Sequence, residues 1–126
     1  MGARLCIAIA ATFGALAVSG GAFAAHALKG KLSPQALDTF ALGSRYQMYH
    51  ALALLAVGLL LLQQPDNRWL SYGAIALTAG TVLFSGSLYG LSLGGLKWLG
   101  PVTPLGGVAL IAGWVMVAIA AGSLGR

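Results

Sequence analysis

Few side chains in this sequence could carry chemistry, and they are spaced far apart. There are two histidines, His26 and His50, two acids, Asp38 and Asp66, one cysteine, Cys6, and seven cations, four arginines and three lysines. Imidazole titrates near neutral pH and ligates metals, so two histidines could relay a proton or supply two axial ligands to a haem iron. They fall short of a closed structural zinc site, which takes four protein ligands. A lone Cys6 excludes an intramolecular disulfide and a cysteine zinc site. Two acids are too few for catalysis built on several carboxylates. Asp38 and Arg45 stand seven residues apart, two turns of helix, and Arg45 and Tyr49 fall on the same stripe as Asp38. Tyr46 and Gln47 share the other flank with His50. The hydroxyls of Ser85, Ser87, Ser92 and Tyr89 could line a solute path along a glycine-interrupted helix.

What must position these groups is almost entirely apolar. Of 126 residues 59% are hydrophobic and 7% charged, against roughly 25% charged in an ordinary soluble domain. A mean hydropathy of +0.88 makes lipid the solvent for most of the chain. The cations sit singly between apolar runs, which excludes a nucleic-acid patch and reads as membrane-interface anchoring.

Four runs are long enough to span a bilayer, at about residues 5–28, 46–62, 69–93 and 104–124. They make one integral membrane domain over residues 1–126. Arg4 with Ala22-Phe23-Ala24 mimics a secretory signal, but the run exceeds the 7–15 apolar residues usual there. Unpaired backbone groups are intolerable in lipid, and the runs lack the polar–apolar alternation of barrel strands, so they must be helices. Ser33-Pro34 starts the second, with an amphipathic extension carrying Asp38 that is expected to turn inward near Gly43-Ser44. Asp66 or Asn67 is available to cap the third, and Thr103-Pro104 to start the fourth. Trp69 and Trp98 bracket the third like two aromatic belts. The fold class is therefore an all-α membrane protein, a bundle of four transmembrane helices with an amphipathic extension preceding helix 2.

Close helix contact in lipid needs small residues. They recur every seven positions: Gly14 and Gly21; Ser44, Ala51 and Gly58; Gly73, Gly80, Ser87 and Gly94; Gly106, Gly113 and Ala120. The overlapping Gly86-x-x-x-Gly90-x-x-x-Gly94 makes Gly86, Gly90 and Gly94 the strongest expectation for helix packing.

Four ordered strings, Gly21-Ala22-Phe23-Ala24-Ala25-His26-Ala27-Leu28, Arg45-Tyr46-Gln47-Met48-Tyr49-His50-Ala51-Leu52, Leu83-Phe84-Ser85-Gly86-Ser87-Leu88-Tyr89 and Thr103-Pro104-Leu105-Gly106-Gly107, resemble the family carrying domain of unknown function 423. That family includes small bacterial inner-membrane proteins and the vertebrate transmembrane protein 256. Alanine stands at position 24 where the family pattern has glycine, which touches packing more than chemistry. The resemblance implies a four-span protein of the cell inner (plasma) membrane and supplies no catalytic residues.

The functional expectation is a small accessory or structural membrane module, not an enzyme, with no cofactor. Its partners are membrane lipids, with a homo-oligomer or larger membrane complex expected and no nucleic acid. The alternative is a small-solute or ion transporter or channel component formed by oligomerisation, and further behind stands a bis-histidine haem protein. The candidate site is a polar pocket of His26, His50, Arg45, Asp38, Tyr46 and Tyr49 at one membrane face, with Arg45 above the two histidines. Lys29, Lys31, Arg45 and Lys97 on one side against Arg4, Arg68 and Arg126 on the other lean toward termini outside.

Overall fold

In a computed structural model, which describes residues 1–125, the chain forms four long helices. They are α1 (Ala3–His26), α2 (Pro34–Gln63), α3 (Arg68–Gly94) and α4 (Val102–Ala121), and a single turn of 3-10 helix at Lys97–Leu99 precedes α4. All four are long and apolar enough to cross a membrane. The four-helix membrane fold expected from the apolar runs is the fold observed.

Local chemistry sets most of the boundaries. Ser33 Oγ accepts from the Ala36 amide with Pro34 in the first turn, the start read from the sequence. Asn67 Oδ1 accepts from the Trp69 and Leu70 amides at the head of α3. Gly95 ends α3 at φ +61°, a left-handed position that glycine occupies without strain. Two expectations need correction. α2 runs unbroken for 30 residues through Gly43-Ser44, because both are buried against neighbouring helices and a break there would leave backbone groups unpaired in lipid. α4 starts at Val102 instead of Pro104, with Pro101 at the cap and no side-chain cap, since the Thr103 hydroxyl is drawn to Ser87 at 2.6 Å.

Helices α2 and α3 form the centre, α1 packs on α2, and α4 packs on α3; no extensive contact joins α1 to α4. The core, with Cys6, Leu54, Val57, Leu61, Leu70 and Leu77 fully buried, lies between these pairs. The outer faces of α1 and α4 present large apolar side chains such as Leu16, Val18, Leu105 and Ile111 to the surroundings. That suits hydrocarbon, where exposed leucine costs nothing.

Contact follows most of the seven-residue stripes, except that on α1 Gly21 has open space and its neighbour Gly20 makes the close approach to α2. On α3 against α4, a Cβ added to Gly80 would lie 2.9 Å from the Leu110 backbone nitrogen, and one on Gly113 would lie 2.8 Å from the Leu77 side chain. Gly106 approaches the backbone of Phe84 still more closely. On α1 against α2, Gly20 faces Ser44, Gly14 faces Ala51, and Ile7 faces Gly58. The expectation for Gly86, Gly90 and Gly94 is corrected. Gly86 has open space where a side chain would be, while Gly90 and Gly94 face Leu99 and Leu96 of the connection to α4 and not another spanning helix. α3 carries glycines on more than one face, and α4 lies against the face of Gly73 and Gly80.

Replacing Gly80 by leucine should therefore destabilise the bundle by about 1–3 kcal/mol, as forced overpacking does. The Gly86→Leu variant should be neutral or gain up to about 1 kcal/mol from helix propensity. Thermal unfolding of both variants in one detergent checks the order.

Candidate functional site

The antiparallel register of α1 and α2 sets the depth of each polar group. With Gly14 opposite Ala51, the neighbouring His50 lies at the middle of the 24-residue α1, while His26 is its last residue. Twelve residues of helix, about 18 Å, thus separate the two histidine levels. The expected pocket beneath Arg45 does not assemble. His26, Asp38 and Arg45 are exposed, no ion pair joins Asp38 to Arg45 among the described residues, and only His50 of the four is buried. Arg45 stands at the edge of a separate shallow groove with Ala17, Gly21 and Met48. The pocket was expected on a helix that turns inward at Gly43-Ser44; the unbroken α2 buries His50 and leaves Asp38 exposed in its first turns.

His50 has a defined role of its own. Its Nδ1 lies 2.7 Å from the Tyr46 carbonyl, and its Nε2 lies 3.1 Å from the Trp114 indole nitrogen. A carbonyl can only accept and an indole N–H can only donate, so the ring carries its proton on Nδ1 and offers the Nε2 lone pair to Trp114. Both nitrogens are occupied, and α2 is thereby tied to α4. The two imidazoles cannot flank one haem iron, since they stand at different depths and His50 has no free nitrogen.

One turn before His50 on α2, a second polar cluster joins three helices. Gln47 Nε2 donates to the Phe13 carbonyl of α1 at 2.8 Å, and Gln47 Oε1 accepts from the Tyr89 hydroxyl of α3 at 2.6 Å. Ser44 Oγ lies 3.3 Å from the same hydroxyl, and Ser85 donates to the Gly43 carbonyl at 2.7 Å. Phe40 packs its ring 4.9 Å from that of Tyr89. Among the described residues no buried side-chain nitrogen or oxygen is without a partner. The hydroxyls of Ser85 and Tyr89 that could have lined a solute path thus close onto α2.

Tyr46 and Tyr49 do join His50. With Phe84, Ile111 and Trp114 they line a groove of about 540 Å³ among α2, α3 and α4. Sequence reasoning missed Trp114, although an indole N–H in the middle of a span demands an acceptor at its own depth. It also undervalued Gln47, a mid-span amide that must find partners on neighbouring helices.

These features define the class, a small multi-pass membrane protein whose few interior polar groups link its helices. The chain matches the model of the family described as Protein of unknown function (DUF423) over residues 20–107, and it belongs to that family. It is 43% identical over 117 residues to UPF0382 membrane protein SAB0533 of Staphylococcus aureus, covering 93% of this chain and 94% of that one. It is 42% identical to UPF0382 membrane protein YwdK of Bacillus subtilis, covering 94% of this chain and 96% of the relative. To UPF0382 inner membrane protein YgdD of Escherichia coli K12 it is 37% identical, over 100% of this chain and 95% of the relative. No solved structure matches. The four spans and these relatives place the chain in the cell inner membrane as a multi-pass protein of uncharacterised function.

Nitrogen-15 NMR of the imidazoles should show His50 protonated on Nδ1 with an unprotonated Nε2. The Trp114→Phe variant should shift the Nε2 resonance and leave Nδ1 bonded to the Tyr46 carbonyl; protonated Nε2 in the parent protein would contradict the assignment.

Proposed function

We propose that the chain is a non-enzymatic accessory or structural membrane module that works among membrane lipids, as a homo-oligomer or within a larger membrane complex. The observation that carries this reading is the use of the interior polar side chains. His50, Gln47, Tyr89, Ser85 and Ser87 each hydrogen-bond to another helix. A general acid, base or nucleophile needs a polar atom free to meet substrate. The interior groups are engaged with one another, and the outer helices α1 and α4 leave broad apolar faces, the kind of surface on which a second membrane helix packs. Expected partners are lipid and protein, with no nucleic acid, and no cofactor is required for the packing role.

Native mass spectrometry from lipid nanodiscs, paired with cross-linking in intact membranes, tests this reading. Species heavier than one 12.7 kDa chain, with cross-links on the outer faces of α1 or α4, are expected. A single chain in every lipid composition, or ion flux through the purified protein in liposomes, would count against it; flux would favour the transporter or channel alternative.

A further inference from the structure

One wall of the groove among α2, α3 and α4 is the His50–Trp114 pair that ties α2 to α4, but Tyr46 and Tyr49 on its rim bond to no other helix, and its lining is chemically specific. Its walls are rings: Tyr46 lies 4.9 Å from Phe84 and 5.6 Å from Tyr49, centre to centre, and His50 lies 6.1 Å from Tyr46 and 5.9 Å from Trp114. Its size, about 540 Å³, is in the range of small-molecule sites. It lies between spanning helices beside His50, at the level of the middle of α1, a depth at which the surrounding solvent is lipid.

The lining then narrows the ligand class. No charged side chain lines the groove, so the occupant is neutral. Electron-rich phenol and indole faces stack best on a flat, electron-poor ring. The hydroxyls of Tyr46 and Tyr49 make no hydrogen bond to protein among the described residues, and each can donate to a ligand oxygen. A saturated acyl chain would use neither the ring faces nor the hydroxyls. We propose that this groove binds a neutral, planar, carbonyl-bearing ring compound dissolved in the bilayer, of the isoprenoid-quinone headgroup class. The ring lies among Tyr46, Phe84 and Trp114, with a carbonyl oxygen accepting from Tyr49 or Tyr46. Binding here is independent of the packing role and involves no redox step by the protein.

Trp114 reports on the site, because a bound quinone quenches indole fluorescence. In the Trp69→Phe, Trp98→Phe double variant, Trp114 is the remaining tryptophan. The protein in phosphatidylcholine nanodiscs is titrated with ubiquinone-1, and quenching is expected to saturate. In the matching Trp98→Phe, Trp114→Phe variant, where Trp69 reports from the start of α3, quenching should stay weak and linear. Gly107→Leu should abolish saturation, since a Cβ at Gly107 has ordinary contact with the Phe84 ring at 3.8 Å and the longer side chain fills the groove that Gly107 lines; thermal unfolding of the variant in nanodiscs checks that the fold is kept. Tyr49→Phe, at an exposed position, should weaken binding about three- to tenfold, the loss of one hydrogen bond. The proposal is overturned by linear quenching equal at Trp114 and Trp69, by saturation that survives Gly107→Leu, or by dodecane relieving the saturable quenching at Trp114.

Discussion

Hydrocarbon gives helices no hydrophobic reason to touch one another, so a bundle in lipid must be held by close backbone approach and by hydrogen bonds whose alternative is an unpaired polar group. In this chain the second requirement converges on one side chain. The Gln47 amide is anchored at both ends, its nitrogen on the α1 backbone and its oxygen on the α3 hydroxyl of Tyr89, so α2 cannot rotate without breaking contacts to both neighbours. Ser85 on the Gly43 carbonyl repeats the α2–α3 connection within a turn. His50 extends the same arrangement outward to α4 through Trp114. The order α1–α2–α3–α4 follows, with α2 as the helix to which all the others are bonded.

Once α2 is fixed, the rest is packing and closure. The seven-residue stripes bring α1 onto α2 and α4 onto α3 at backbone distance, and a stripe of that period suits the shallow crossing of about +20° common in membrane bundles. At the membrane face carrying the α2–α3 turn, Gln64 and Asn67 both bond to Ser123, tying that turn to the end of α4. At the other face the long α2 carries Asp38 past the end of α1. Because α1 and α4 pack on different members of the central pair, the bundle keeps a groove beside His50 instead of filling it.

Much of this fold is legible in the residues themselves. Charge-free length gives the spans, Ser33-Pro34 gives the start of α2, and the Asp66-Asn67 pair narrows the cap of α3 to two residues, of which Asn67 takes the role. The small-residue stripes at Gly73, Gly80, Gly106 and Gly113 mark the α3–α4 contact before any coordinates exist. The pattern Gly86-x-x-x-Gly90-x-x-x-Gly94 misleads because a spacing identifies one face of a helix and says nothing of which face another helix covers. The candidate site was legible only in part. Tyr46, Tyr49 and His50 are neighbours on one helix, so their association is local and readable. His26 and Arg45 were grouped with them by assuming a bend, whereas depth depends on the register between α1 and α2, a long-range property. Trp114 and Tyr89 join through other helices in the same way. Arg126, counted among the charges on the side of the termini, lies outside the described residues.

The central claim is that Gln47 and Tyr89 act together to hold α2 in place. A double-mutant cycle built from Gln47→Leu and Tyr89→Phe, with unfolding free energies measured reversibly in bicelles, isolates their interaction. A coupling of about 0.6–1.7 kcal/mol is expected, between the average and the maximum found for hydrogen bonds between membrane helices. Simple additivity of the two substitutions would contradict the account.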